Sequence, residues 1–336
     1  MRFLLDTEQA EFGRTLDRML GAADTPAAVR AWADGDFGPG RALWARLAET
    51  GVFTLAVPEA HEGLGPLPVE LAVAYVELGR HAVPGPVVET AAAAALLAEL
   101  PEGTGAAKEW LPRIASGDAL VSLASGAAGP YALDADAADA VLVADGDAIR
   151  LAAGHGPLRE SADPARRLFV PEGGEVLARG PEAASALARA GDLAAFLTAA
   201  QSLGVGLELL RRTVEYVGQR RQFGVAIGTF QAVKHRLADA LVGLEFARPL
   251  LFGAALTLNG EEIAAAKLAA GEAAYRAARA ALQLHGAVGY TEELDLSLWL
   301  RKALPLRDAW GTPSQCRARL VPAAGGPVPW RASSAG

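Results

Sequence analysis

The sequence predicts a mainly α protein with a single small β-domain set between two helical bundles. Three observations predict it. Both ends are rich in alanine, which favours helix, and carry apolar residues at helical spacing, as in Phe230, Val233, Leu237, Leu241 and Leu244. Short β-type runs are confined to the stretch between Leu120 and Val170. At 336 residues and 51% hydrophobic content, the chain is long enough to bury a large core and hold two or three structural units.

Taken in order, residues 6–21 read as a helix opened by Asp6 or Thr7, and a second spans 27–51, ending at Gly51. The Pro58 to Gly65 stretch is a turn-rich connection. Helices follow at 67–80, 86–99 and 106–116, the first two split by Pro84-Gly85-Pro86. Leu120–Ala124, Ala140–Ala144, Ile149–Ala152 and Arg167–Val170 read as strands, with Asp145-Gly146-Asp147 as a hairpin turn. Helices resume at 182–189, 192–218, 230–257, 260–284 and 292–304. This gives an N-terminal helical domain over 1–118, a reduced β-domain over 119–181 and a C-terminal helical bundle over 182–320. The remainder, 321–336, is aperiodic and rich in Gly, Pro and Ser, and is expected to be disordered.

Composition narrows the function classes. A net charge of −8 argues against nonspecific nucleic-acid binding. The single cysteine, Cys316, excludes an intramolecular disulfide and a multi-cysteine metal site. The five histidines show no ligand spacing, so no metal is expected. The start reads as an acidic helix rather than a signal peptide, and apolar runs such as Ala91–Leu97 are too short to span a membrane, so a cytoplasmic protein is expected. Gly204-x-Gly206 lies inside a helix with no preceding strand and is not a dinucleotide fingerprint.

The segment Arg220 to Arg236 is the most sharply punctuated polar stretch of the second half. Phe223-Gly224, Gly228 and Thr229 break the helix, and Thr229 is placed to cap the next one. Arginine forks and helix N-terminal NH groups both suit an anionic group such as pyrophosphate. Arg220-x-Gln222-Phe223-Gly224, with Phe230-Gln231, His235 and Ala238-Asp239, resembles the flavin-contacting segment of acyl-CoA dehydrogenases. Gln283-Leu284-His285-Gly286-Ala287-Val288-Gly289-Tyr290-Thr291 resembles a second motif of that family, with Ala287 replacing one glycine, and the Val57-Pro58-Glu59 stretch resembles a third.

The resemblance implies the family's three-part fold, FAD as cofactor and acyl-CoA as substrate. By carry-over, Arg220, Gln222, Phe223, Gln231, Gln283, Gly286, Ala287 and Thr312 would meet the cofactor, most of them at the ADP end of a flavin held by a neighbouring subunit. The ring end departs from the family. Leu123 to Pro130 stands where a threonine-bearing stretch is usual, leaving Ser122 or Ser125 as substitutes, and the β-domain has no tryptophan. Trp310 occupies the place of the usual catalytic glutamate before Gly311-Thr312, and Ala194 occupies an alternative base position. Asp308 is a candidate displaced base, otherwise a partner for Arg307 or Arg301; Asp192 is another, otherwise a helix-capping acid.

A half-site kept for a neighbour's FAD beside a degraded half-site of its own resembles the short noncatalytic subunits of heteromeric acyl-CoA dehydrogenases. The expected partner is a catalytic subunit, the expected substrate a bulky or sterol-derived acyl-CoA reached through it. Two alternatives are a self-sufficient homo-oligomer using a displaced carboxylate, and a non-enzymatic scaffold of the same fold.

Overall fold

The structure, a computed structural model, describes residues 5–126 and 128–321. The expected disordered tail therefore lies, but for Val321, outside the described residues. The N-terminal domain holds α1 (Thr7–Gly21), α2 (Thr25–Ala33), α3 (Gly38–Glu49), α4 (Pro68–Arg80), α5 (Val87–Ala98) and α6 (Ala106–Ala115). Asp6 caps α1 in a reciprocal box with Gln9. The single helix expected over 27–51 is two, because Gly35 turns the chain at φ 85° after α2.

The β-domain contains β1 (Val121–Ser125), β2 (Ala132–Leu133), β3 (Ala140–Asp145), β4 (Ala148–Leu151), β5 (Gly154–His155), β6 (Leu168–Phe169), β7 (Pro171–Glu172) and β8 (Glu175–Arg179). The main sheet runs β1-β3-β4-β8, with β1 and β3 parallel and the later pairs antiparallel. Asp145 faces Ala148 across the expected two-residue hairpin. Two buried contacts fasten this domain. Lys302 donates to Asp163 at 2.8 Å with both side chains almost wholly buried. Arg167 donates to Asp136 at 2.6 Å and to the Ala33 carbonyl at 2.9 Å.

The C-terminal part begins with α7 (Pro181–Gln219), 39 residues long, followed by β9 (Arg221–Gln222), β10 (Val225–Ala226), α8 (Gln231–Thr257), α9 (Gly260–His285), α10 (Leu296–Asp308) and α11 (Pro313–Leu320). The two helices expected over 182–189 and 192–218 are one, since Ala183, Ala186, Ala190 and Ala194 keep a buried stripe running past Gly191. The Gly204-x-Gly206 pair serves packing. A Cβ at Gly204 would lie 1.9 Å from the Val76 carbonyl of α4, and one at Gly206 would lie 2.5 Å from Leu244 of α8. These glycines let α7 cross both neighbours closely. One hydrophobic core runs from Leu16 in α1 to Leu306 in α10.

Among the described residues, two helices, α7 and α8, are long and apolar enough to cross a membrane by length and composition alone. The apolar window of α7 is 89% buried, as a core helix is, whereas that of α8 is 33% buried. Val242, Phe246, Leu250 and Leu256 stand exposed along α8.

Candidate cofactor and substrate half-sites

The Arg220 segment folds into a tight hairpin between α7 and α8. Arg220 leaves the helix extended (φ −67°, ψ 124°), and its carbonyl accepts from Ile227 at 2.8 Å. Phe223 and Gly224 form the two-residue loop between β9 and β10 at φ 53° and 81°, the left-handed pair that such hairpins require. Phe223 is 90% exposed and packs edge-on against Phe230, ring centroids 6.3 Å apart. Thr229 does not cap α8, as expected; its hydroxyl turns back to the Ala226 carbonyl at 2.7 Å, and Phe230 takes the cap position without a side-chain bond. The first turn of α8 therefore keeps its NH groups free of a side-chain cap.

The second motif lies where α9 ends. Gly286 leaves the helix at φ 64°. The His285 ring stacks on Tyr216 at 4.1 Å, and Tyr216 Oη donates to the His285 carbonyl at 3.4 Å. Burial holds the His285 imidazole below its ordinary value. This stack ties the Gln283–Tyr290 turn to the last turn of α7, one turn before Arg220. Gln283 lines an open cavity of about 560 Å³ with Ala232, His235, Arg236, Arg276 and Tyr290, across from the first turns of α8. Arg220, Gln222, Phe223, Gln231, Gln283, Gly286 and Ala287 are all exposed. The fold thus brings the two separated motifs to one end of the bundle. Sequence reading missed Arg236, Arg276 and Arg279, whose helical spacing on α8 and α9 points them into this cavity.

The second half-site is a largely apolar cavity of about 570 Å³ between the start of α7, the end of β1 and α11. Ser125, Asp192, Trp310, Cys316 and Arg319 line it among small residues such as Ala188 and Gly191. Trp310 sits at φ 53°, and its indole donates to Glu89 Oε1 at 3.0 Å. Glu89, on α5, is 4% exposed and was not singled out by any motif. Lys267, buried in α9, donates to the carbonyls of Leu306, Arg307 and Gly311 at 3.0, 2.8 and 3.2 Å. The first two carbonyls end α10 and the third lies in the loop beyond it, so one ammonium closes the helix terminus and sets the path of the Trp310 loop. Burial lowers the Lys267 ammonium to about 8.

The carboxylates expected near this site are placed otherwise. Asp308 is exposed at the end of α10, and neither proposed partner takes it: Arg307 pairs with Glu272 and Arg301 with Glu292. Asp192 is not a capping acid; it lies within α7 and pairs with Arg319 of α11 at 2.7 Å. Ala194 is wholly buried in the core. Thr312 uses its hydroxyl to cap α11, in a box with Gln315. The Ser122 hydroxyl donates to Leu133 at 2.6 Å, which leaves Ser125 as the serine at the cavity. Far from both half-sites, Asp17, Glu77 and His81 converge within 4.8 Å, a grouping hidden in the sequence spacing. His81 pairs there with Asp17 at 2.9 Å, and Arg80 lies 3.5 Å from Glu77.

This three-part fold, with a flavin-type motif pair at one end of its bundle, is that of an oxidoreductase class acting on acyl-CoA thioesters. The chain belongs to the acyl-CoA dehydrogenase family: that family's N-terminal domain matches residues 6–118 and its C-terminal domain residues 188–320. It is 35% identical over 317 residues to acyl-CoA dehydrogenase IpdE2 of Mycobacterium tuberculosis, covering 93% of this chain and 96% of that protein. Among solved structures, it resembles the ChsE4-ChsE5 complex of Mycobacterium tuberculosis with TM-score 0.81 and 24% identity, covering 95% of this chain and 98% of that one. It also resembles a variant of the Tcur3481-Tcur3483 steroid acyl-CoA dehydrogenase, with TM-score 0.79 and 25% identity over 93% and 96% of the two chains.

Proposed function

We propose that this chain is the noncatalytic subunit of a heteromeric acyl-CoA dehydrogenase. It supplies the ADP end of the FAD site to a catalytic partner acting on a bulky, steroid-derived acyl-CoA. The observation that carries the reading is Trp310. Its indole stands where a proton-accepting carboxylate is usual and is pinned to the buried Glu89 at 3.0 Å. An indole NH can only donate. Similarity to relatives described as a steroid acyl-CoA dehydrogenase and as a complex of two named chains supports the partner and the substrate class.

When bound, FAD would supply the acceptor for the hydride that leaves the substrate β-carbon. This chain's own part is binding and orientation. Arg220 offers a charged fork to the pyrophosphate, and the NH groups beside Gly286 and Ala287 lie at the same end of the bundle. Phe223, Phe230 and Gln231 form a ledge for the adenine. The residues present fit this group, because their side chains are exposed and, among the described residues, those of Arg220, Phe223, Phe230 and Gln231 make no hydrogen bond.

Expression of the chain alone, and together with a longer family member encoded beside it, tests the reading. The lone chain purifies colourless and inactive in a dye-coupled assay; the pair is yellow and active. Glu89→Gln leaves turnover of the pair within about threefold, whereas loss of a general base costs at least ~10²-fold. A lone chain that retains FAD and oxidises acyl-CoA would sink the proposal.

A further inference from the structure

We infer that Asp17, Glu77 and His81 form a site for one divalent cation of the zinc type, which staples α1 to α4. The site lies apart from both half-sites, and the inference does not depend on the subunit reading. Glu77 and His81 stand at i and i+4 where α4 ends, so one helix face presents both. Asp17, near the end of α1, meets them from across the bundle. Each offers a ligand atom, and these atoms all lie within 4.8 Å of one another. His81 Nε2 stands 2.9 Å from Asp17 Oδ1. Two atoms held by one ion at about 2.1 Å are themselves roughly 3.0–3.4 Å apart, so this pair already has that spacing. Asp17, with its side chain 52% exposed, is free to turn and close the remaining gap to Glu77. The grouping escapes sequence reading because its histidine and aspartate are 64 residues apart.

A second observation concerns Glu77 itself. Its Oε2 atom is buried and, among the described residues, accepts no hydrogen bond. The nearest cation, Arg80, holds its Nε 3.5 Å away, and that Nε is also buried and donates to nothing. The ion pair therefore leaves a desolvated carboxylate oxygen unsatisfied, a costly arrangement. Deeper carboxylates in this chain are satisfied: Asp163 accepts from Lys302, Glu208 from Arg211 and Arg212, and Glu89 from Trp310. A cation bound directly by Glu77 supplies what Arg80 does not. One imidazole nitrogen with two carboxylates suits zinc and its neighbours, whereas calcium takes about six to eight oxygen ligands. Two carboxylates and a neutral imidazole also balance one divalent charge, and water completes the fourth position on the exposed side. The effect is mechanical. α4 passes α7 closely, where Gly79 meets Gln201 and Val76 meets Gly204, so the staple fixes α1 to the helix that α7 crosses.

The test uses the full chain, stripped with a chelator and dialysed. Zinc chloride is titrated by calorimetry, and cobalt(II) chloride by visible absorption. The expected result is one equivalent of zinc bound, with affinity at least ~10-fold weaker in each of Asp17→Asn, Glu77→Gln and His81→Gln. Cobalt should give the visible bands of a four-coordinate site in the wild type and lose them in His81→Gln. Zinc should raise the thermal midpoint of the wild type and leave that of His81→Gln unchanged. His155→Gln, which removes an exposed histidine elsewhere, should bind as the wild type does. Circular dichroism checks each fold; should a change on α4 prevent folding, Asp17→Asn at its exposed position carries the test alone. Absence of stoichiometric zinc binding overturns the inference. So does equal binding by the wild type and Asp17→Asn, which would assign the ion to scattered surface groups.

Discussion

Replacing Lys302 by methionine tests how the β-domain is held. Lys302 on α10 and Asp163 in the loop before β6 are 2.8 Å apart, with side chains 4% and 3% exposed. Methionine fills most of the lysine's volume, so the change removes the charge with little cavity. Asp163 keeps one bond, from the Ala165 NH at 3.1 Å, but its other oxygen becomes a buried, unpaired charge. Breaking one side of such a pair costs about 3–5 kcal/mol, whereas replacing both sides with neutral groups is often close to neutral. Lys302→Met should therefore lose about 3–5 kcal/mol, and Lys302→Met/Asp163→Asn should recover most of it, to within about 1 kcal/mol of wild type. Urea denaturation followed by both tryptophan fluorescence and circular dichroism gives the comparison, since coincident curves justify a single transition. A single variant costing less than about 1 kcal/mol, or a double variant as unstable as the single, would refute the idea that this pair bears charge in the core.

Four further outcomes are expected. Arg220→Ala should reduce FAD retention by the assembled complex while leaving this chain folded, since a charge-assisted bond to pyrophosphate contributes about 1.5–3 kcal/mol; an unchanged FAD titration rejects that role. Asp308→Asn and Asp192→Asn should leave turnover almost unchanged, whereas loss of a true base lowers it at least ~10²-fold, so a large loss with normal FAD content returns the chain to the self-sufficient enzymes. The exposed face of α8 implies that the chain is not a stable monomer, which sedimentation at micromolar concentration checks. Lys267 gives a pH signature: burial lowers its folded value from 10.5 to about 8, so between those values the unfolded chain binds more protons and stability rises with pH. Lys267→Met should remove that rise from the urea midpoint; an identical pH dependence in both proteins contradicts the assignment.

Local signals were legible in the sequence, and distant partnerships were not. Asp6 at the start of the first helix, the Asp145 hairpin and the break at Phe223-Gly224 are local grammar, and each forms as read. The two motifs near Arg220 and Gln283 could be joined only through their order in the chain; the Tyr216–His285 stack that brings them together spans 69 residues. Asp192 beside Gly191 looked like the start of a helix. Its actual partner, Arg319, lies 127 residues away, and a buried alanine stripe carries the helix past the glycine. Glu89 carried no motif at all. It is notable only because Trp310, 221 residues later, donates to it. Thr229 fitted the chemistry of a cap, but the 3-10 turn it sits in directs its hydroxyl backwards.

The length of α7 has a consequence for how the chain is made and cut. At about 1.5 Å per residue, its 39 residues reach roughly 58 Å. Along that length it packs against α4 and α5 on one side and α8, α9 and α10 on the other. The two helical domains are therefore consecutive in the chain but share a single wall. A nascent chain that has emerged only as far as α6 has an N-terminal bundle whose α4 and α5 lack the helix they are built to meet. The α4 surface around Val76 and Gly79, which meets Gly204 and Gln201 of α7, then faces water until α7 is synthesised. Maturation should thus wait on α7, with the N-terminal bundle dependent on chaperones until then and locking only once the helix lies across it.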